Sequence, residues 1–233
     1  MAGTAHHTAN CLFDFGSIAD EYDAWYETPA GWAYDRVQKA DVRRFLRRRR
    51  PGSRLLDVGC GTGHWSRFFA SLGYAVVGLD ISKRMIETAK AKTPAGHCVF
   101  EVADACNMPL RNSSFDVVAA MATLEFVPDV YSALTEMFRC VKSGGRVLIG
   151  TLNRLAPINL HRLAEEKQPY VSGRLLAPDE LRDLLEPFGR VRMVASSEVS
   201  SNRAVGQWRT VGRRATRGRE KLSGAFIVAE VRT

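Results

Sequence analysis

Between Arg54 and Leu72 the chain reads apolar strand, glycine turn, amphipathic helix, an order that few folds accommodate. Leu55, Leu56 and Val58 form the short apolar run expected of a strand buried on both faces of a parallel sheet. Gly59, Gly61 and Gly63 follow at alternate positions and supply a turn with no Cβ in the way. From His64 onward, Trp65, Phe68, Phe69 and Leu72 recur at helical spacing, so a helix N-terminus points back at the turn. Such a junction makes a site for a nucleotide-like ligand at the carboxyl edge of a sheet.

Spacing narrows the ligand. A dinucleotide site uses G-x-G-x-x-G and aims a helix dipole at a pyrophosphate. Here the third glycine comes one residue early, and Asp57 stands two residues before the first. A carboxylate repels a pyrophosphate but suits a ligand with a cationic amine. A second apolar strand, Tyr74 to Leu79, ends at Asp80, 23 residues after Asp57. That distance fits one βαβ step and puts an acid at the neighbouring strand tip, where it can accept from both ribose hydroxyls. Asp80 has a structural alternative as a helix cap, although Ser82 is the better N-cap for a helix to Lys92. The pattern repeats with strands at His97 to Ala103, Phe115 to Met121 and Arg146 to Leu152, an amphipathic Val130 to Val141, and a turn at Gly144-Gly145.

Asp57-x-Gly59-x-Gly61-x-Gly63 resembles motif I of the class I S-adenosylmethionine-dependent methyltransferases. The run Met108-Pro109-Leu110, Ser114-Phe115-Asp116-Val117-Val118 and Met137 to Gly145 resembles the small-molecule branch of that family, and the likeness spans residues 13 to 152. The resemblance implies a doubly wound α/β fold with a seven-stranded, mostly parallel sheet in the order 3-2-1-4-5-7-6, its last strand antiparallel. It implies S-adenosylmethionine as cofactor and S-adenosylhomocysteine as product. The loop Gly59, Cys60, Gly61 and Gly63 would lie under the methionine part, with Asp57 near its amino group. Asp80 and Ile81 would take the ribose. Asp104 and Ala105 would read adenine, although Asp104 also serves as a turn residue before Asn107-Met108-Pro109. Met121 ends the strand facing the transferred methyl.

The N-terminal segment adds Phe15, Tyr22, Asp23, Trp25 and Tyr26, which resembles the signature of helices that close over the cofactor. Ser17 is expected to cap a helix carrying Ile18, Tyr22 and Trp25, with a second helix from Trp32 to Arg48. Aromatic faces attract a sulfonium cation, so Tyr22 is read as a cofactor or substrate contact and Trp25 as either contact or core. Arg36 could pair with the cofactor carboxylate or simply face solvent. Glu125 is the only ionisable side chain in Met121 to Phe126 and is, with Tyr22, the candidate for catalysis; its alternative is a structural hold on the N-terminal helix. His161 is read as solvent-facing.

The expected organisation is one methyltransferase domain over residues 1-233. It has cap helices at 13-50, a cofactor-binding core at 53-152, a variable substrate cap at 153-177, and a closing helix and hairpin at 178-233. No apolar run is long enough for a membrane span, and the first residues lack the features of a signal peptide. Five scattered cysteines without C-x-x-C spacing argue against a metal site or a disulfide frame and fit a reducing cytoplasm. Net charge is +8, concentrated at Arg43 to Arg50 and Arg203 to Lys221. A solvated surface is the plain reading of those runs. Lipid-like substrates or RNA are the alternatives, the second making the chain a tRNA methyltransferase. A non-catalytic S-adenosylmethionine-binding regulator and a dehydrogenase are the remaining readings. The leading expectation is methyl transfer to O, N or C of a small-molecule or lipid-like acceptor.

Overall fold

The structure, a computed structural model, describes residues 11–46, 52–196 and 222–233. The strands β1 (Arg54–Val58), β2 (Ala75–Asp80), β3 (Cys98–Val102), β4 (Phe115–Met121), β5 (Val141–Leu152), β6 (Arg190–Ser196) and β7 (Phe226–Arg232) form one seven-stranded sheet. Its order is β3-β2-β1-β4-β5-β7-β6, as the resemblance implies. β1 to β5 run parallel, whereas β7 lies antiparallel to both β5 and β6. The central strands are mostly apolar because both faces of the sheet are covered there, whereas the edge strand β3 is largely exposed. On one face Leu56, Val58, Val118 and Ile149 pack with Leu134 and Met137 of α5 (Val130–Cys140) and with Leu181 and Leu185 of α7 (Pro178–Leu185). On the other, Leu55, Val117 and Leu148 meet Val42 and Phe45 of α2 (Pro29–Phe45) and Trp65 and Phe69 of α3 (His64–Ser71). At the β3 edge, Phe100 packs against Ile86 and Ala89 of α4 (Lys83–Lys92). Among the described residues no helix is long and apolar enough to cross a membrane.

The N-terminal expectation needs correction. Ser17 caps no long helix. Asp14 caps a short 3-10 turn, Phe15–Ile18, by accepting from Gly16 N, and the Ser17 hydroxyl donates back to Asp14 O at 2.7 Å. The chain then turns before a single helical turn, α1 (Ala24–Glu27). Thr28 ends α1 and caps α2, and Pro29 occupies the first turn, where a missing N–H costs nothing. β5 also begins earlier than expected, at Val141. The Gly144-Gly145 turn lies inside it as an irregularity, the register slipping between Phe115 and Val117 of β4. The cap holds α6 (Pro157–Ala164), and Asn153 and Asn159 bond it to Leu222, Gly224 and Ala225 ahead of β7. Residues 47–50 of the first basic run and all of 203–221 lie outside the described residues, as do 197–202 of the expected closing hairpin.

Candidate active site

The parallel strands end at a common edge, and a cleft of about 450 Å³ opens there. Gly59, at φ +67°, leaves β1 so close to β4 that an added Cβ would lie 2.1 Å from Thr123 Cγ2. Gly61, at φ +52°, has open space where a side chain would be. Both line the cleft. Asp80 at the tip of β2 joins them. Its Oδ2 accepts from Gly61 N at 2.8 Å and its Oδ1 from Ser82 N at 2.9 Å, so one carboxylate fixes both the glycine loop and the start of α4. Ser82 also caps α4, accepting from Met85 N. Ser82 is thus the side-chain cap of α4, while Asp80 braces the start of that helix and also lines the cleft. Burial pushes the Asp80 carboxyl up, opposed by the N–H groups of Ser82 and Gly61.

Asp104 follows β3 and lines the same cleft with Ala105 and Ile81. Its Oδ1 accepts from Cys106 N at 2.8 Å, so turn residue and cleft residue are one. The wall opposite is aromatic. Phe15 meets Tyr22 and Phe126 edge-on, at 6.1 and 4.7 Å between centroids, and all three line the cleft. Leu12 N donates to Phe126 O, tying this N-terminal lid to the turn after β4. Ion pairs complete the closure: Asp20 with Arg84, and Asp23 with Lys92, while Asp23 Oδ1 accepts from the Thr62 hydroxyl at 2.6 Å. Cys11, Phe13, Asp14, Thr123 and Val127 also line the cleft and were not legible as site residues. Thr123 carried one signal, its place directly beyond a strand tip.

Several expected contacts stand elsewhere. Asp57 is sealed beneath the loop with no exposed surface, accepting from Ser66 Oγ at 2.6 Å. Burial pushes its carboxyl up to about 7, against that hydrogen bond and with help from Asp80. It supports the site from below and does not line it. Cys60 is buried against Ile86, Ala89 and Phe100. Gly63 serves as the left-handed N-cap of α3, at φ +80°. Met121 fills the core beside Gly150. Trp25 stacks on Tyr34, and Arg36 lies exposed over the Trp32 ring at 4.5 Å. His161 is solvent-facing, as expected, and pairs with Glu165. Glu125 is 1% exposed, and its Oε1 accepts from Thr151 Oγ1 and Leu152 N, both at 2.8 Å. It borders the cleft without lining it.

A nucleoside-bearing cation fits these residues. Two carboxylates at adjacent strand tips suit hydrogen-bond donors of a ribose and an adenine, and Asp14, Asp80 and Asp104 line the cleft together with Lys83 and Arg84. Comparison with known proteins agrees. Residues 56–149 match the methyltransferase domain family Methyltransf_11. A malonyl-[acyl-carrier protein] O-methyltransferase of Hamiltonella defensa is 29% identical over 193 residues, covering 75% of this chain and 72% of the relative. A demethylmenaquinone methyltransferase of Staphylococcus epidermidis is 44% identical over 102 residues, covering 42% of each. The chain thus spans less than half the length of some curated relatives it matches. The crystal structure of a Thermotoga maritima S-adenosylmethionine-dependent methyltransferase superposes with a TM-score of 0.72 at 24% identity, over 93% of this chain and 97% of that one. This sheet order, this loop and a methyltransferase-domain match over residues 56–149 stand together in one molecule, and in these features the chain is similar to the class I S-adenosylmethionine-dependent methyltransferases.

Proposed function

We propose that the chain moves the methyl group of S-adenosylmethionine onto an oxygen, nitrogen or carbon of a small-molecule or lipid-like acceptor. The observation that carries this reading is the pair Asp80 and Asp104, set at neighbouring strand tips on one cleft with the glycine loop. In it Asp80 accepts from the ribose hydroxyls, Asp104 and the Ala105 N–H read adenine, and Gly59 and Gly61 leave room for the methionine part. When bound, the cofactor supplies a methyl carbon on sulfonium, an excellent leaving group. The chain's own work is then largely positional: holding an acceptor in line contributes several kcal/mol through proximity. Phe15, Tyr22 and Phe126 keep water out and offer ring faces to a cation, each worth about 0.5–2 kcal/mol. The named activities of the Hamiltonella and Staphylococcus relatives favour a small-molecule acceptor over RNA. The five free cysteines suit a reducing compartment, and we assign the chain to the cytoplasm.

The test is transfer of labelled methyl from S-adenosylmethionine into a lysate separated into small-molecule, lipid and RNA fractions. Label is expected in the small-molecule or lipid fraction and lost with Gly61→Arg, whose side chain would enter the cleft. Label confined to RNA would reverse the choice of substrate. No label, despite cofactor binding, would favour a binding-only protein.

A further inference from the structure

Four arginines gather around one carboxylate at the amino edge of the sheet, opposite the cleft. β5 and β6 both run antiparallel to β7, which brings Arg146, the end of β7 at Arg232 and the start of β6 at Arg190 into one row. Leu148, Glu230 and Arg192 form the next row in register. Leu148 clusters with Val42 and Phe45, so both rows face α2, since alternate residues of a strand share a side. Like charges directly opposite one another destabilise a sheet, yet no acid interrupts the first row. Glu230 answers from the second. It is wholly buried, and its carboxylate meets Arg192 at 2.9 Å, Arg232 at 3.3 Å and Arg146 at 3.4 Å. Arg146 also donates to Phe45 O at the end of α2, and Arg192 lies over the Phe45 ring at 5.4 Å. Arg190 is exposed and has no acidic partner among the described residues. The acid in the last two turns of α2, Asp41, is taken by Arg44 and by the Ser196 hydroxyl. A guanidinium has five N–H donors, so the two oxygens of Glu230 leave most of them to other acceptors. Among the described residues, no large apolar side chain is exposed on β5, β6, β7 or the last turns of α2. Stacked bases or an inserted bilayer would find no anchor there.

We propose that this cluster binds a short phosphate chain, two or three linked phosphates, at a site separate from the methyl-transfer cleft. Glu230 is its positioning residue: it sets three guanidinium groups in place, and the positive charge it leaves unbalanced holds the anion. Arginine forks match phosphate oxygens in pairs, and forks on strands about 4.8 Å apart can reach different oxygens of one chain. Because Arg146 also holds the end of α2, the bound chain fastens that helix to the sheet and stabilises the fold.

Calorimetry with the full chain and sodium tripolyphosphate at physiological salt tests this. One equivalent is expected to bind with a Kd below about 100 μM and to raise the thermal unfolding temperature. Arg190→Gln should weaken binding at least about tenfold, the worth of a charge-assisted hydrogen bond, whereas Arg111→Gln, an exposed arginine before β4, should leave it within about twofold. Saturating S-adenosylhomocysteine should not displace the phosphate chain; displacement would put it on Lys83 and Arg84 of the cleft and overturn the proposal. Adenosine triphosphate bound with the same dependence on Arg190 supports it, more tightly than tripolyphosphate for a nucleoside-bearing ligand and equally for a bare chain. No binding, or equal losses in the two variants, overturns it. So does Arg190-dependent binding of oligouridylate or of phosphatidylglycerol vesicles where tripolyphosphate fails, which would reassign the cluster to RNA or to a membrane. Should Arg190→Gln fail to fold, Arg190→Lys keeps the charge without the fork and should weaken binding about threefold; unchanged affinity in it would count against the site.

Discussion

Asp80 shows how one side chain serves two ends. Its oxygens hold Gly61 N and Ser82 N, and the residue lines the cleft. Charge-assisted bonds of this kind contribute roughly 1.5–3 kcal/mol each, so Asp80→Ala should weaken cofactor affinity at least tenfold by calorimetry. Affinity within threefold would remove the ribose role. Gly59 is constrained from two sides, by φ +67° and by Thr123. A left-handed conformation costs an L-residue about 1–2 kcal/mol before any clash is counted, so Gly59→Ala should lose at least ~2 kcal/mol in urea unfolding. Asp57 gives a pH-dependent prediction. Its folded carboxyl titrates near 7 instead of 3.8, so the folded chain holds that proton more tightly than the unfolded one. Its contribution to stability is therefore greatest below about pH 4 and declines as pH rises to about 7, by at most about 4 kcal/mol at 1.36 kcal/mol per unit. Asp57→Asn keeps an acceptor for Ser66 and should gain on wild type across that interval. A stability difference that stays flat with pH would mean that Asp57 ionises normally.

The lid is short, and polar links fasten it alongside the ring contacts of Phe15, Tyr22 and Tyr26. The 3-10 turn and α1 bury no side chain fully. What fastens them is Asp20 to Arg84 at 2.7 Å, Asp23 to Thr62 and Lys92, and Leu12 N to Phe126 O. Elements with few buried contacts open at low free energy. Asp23→Ala should therefore speed cofactor release several-fold in stopped-flow displacement while shifting thermal unfolding little; an unchanged release rate would show that Asp23 does not latch the lid. α2 is tied to α3 by Asp35, which bonds Lys39 within the helix and His64 at the start of α3, and Tyr26 of α1 stacks on that same His64 ring at 3.8 Å. Apart from the i,i+4 pair of Asp35 and Lys39, none of these links has a sequence signature. The side-chain links between elements join residues 29 to 69 apart, and charged side chains at such distances look like ordinary solvated ones until the fold brings them together.

Across the whole molecule, net charge +8 poses the question of nucleic acid. A chain that works on small molecules should keep its turnover within about twofold between 50 and 300 mM salt, whereas RNA methylation would fall steeply with log salt. The alternation of strands and helices was legible in the sequence, because hydrophobic periodicity depends only on neighbours along the chain, whereas strand order and cofactor came through the family resemblance that the Asp57-to-Gly63 motif carries. Legible too were Asp80, Asp104 and Tyr22, which sit at strand tips or in a local motif. The role of Asp57 was misread: Ser66, a polar residue beside Trp65 and Phe68 on a helix that packs against the sheet, hinted at its buried partner. The Ser17 helix failed because Asp14 offered a nearer cap and the chain turned before a second helical turn formed. By itself the sequence determined where strands, turns and helices would alternate and what kind of ligand their edge could hold. Tertiary structure alone decided which carboxylates face the cleft and which are sealed beneath it, because burial and hydrogen-bond partners depend on what the folded chain brings near, not on what lies next in sequence.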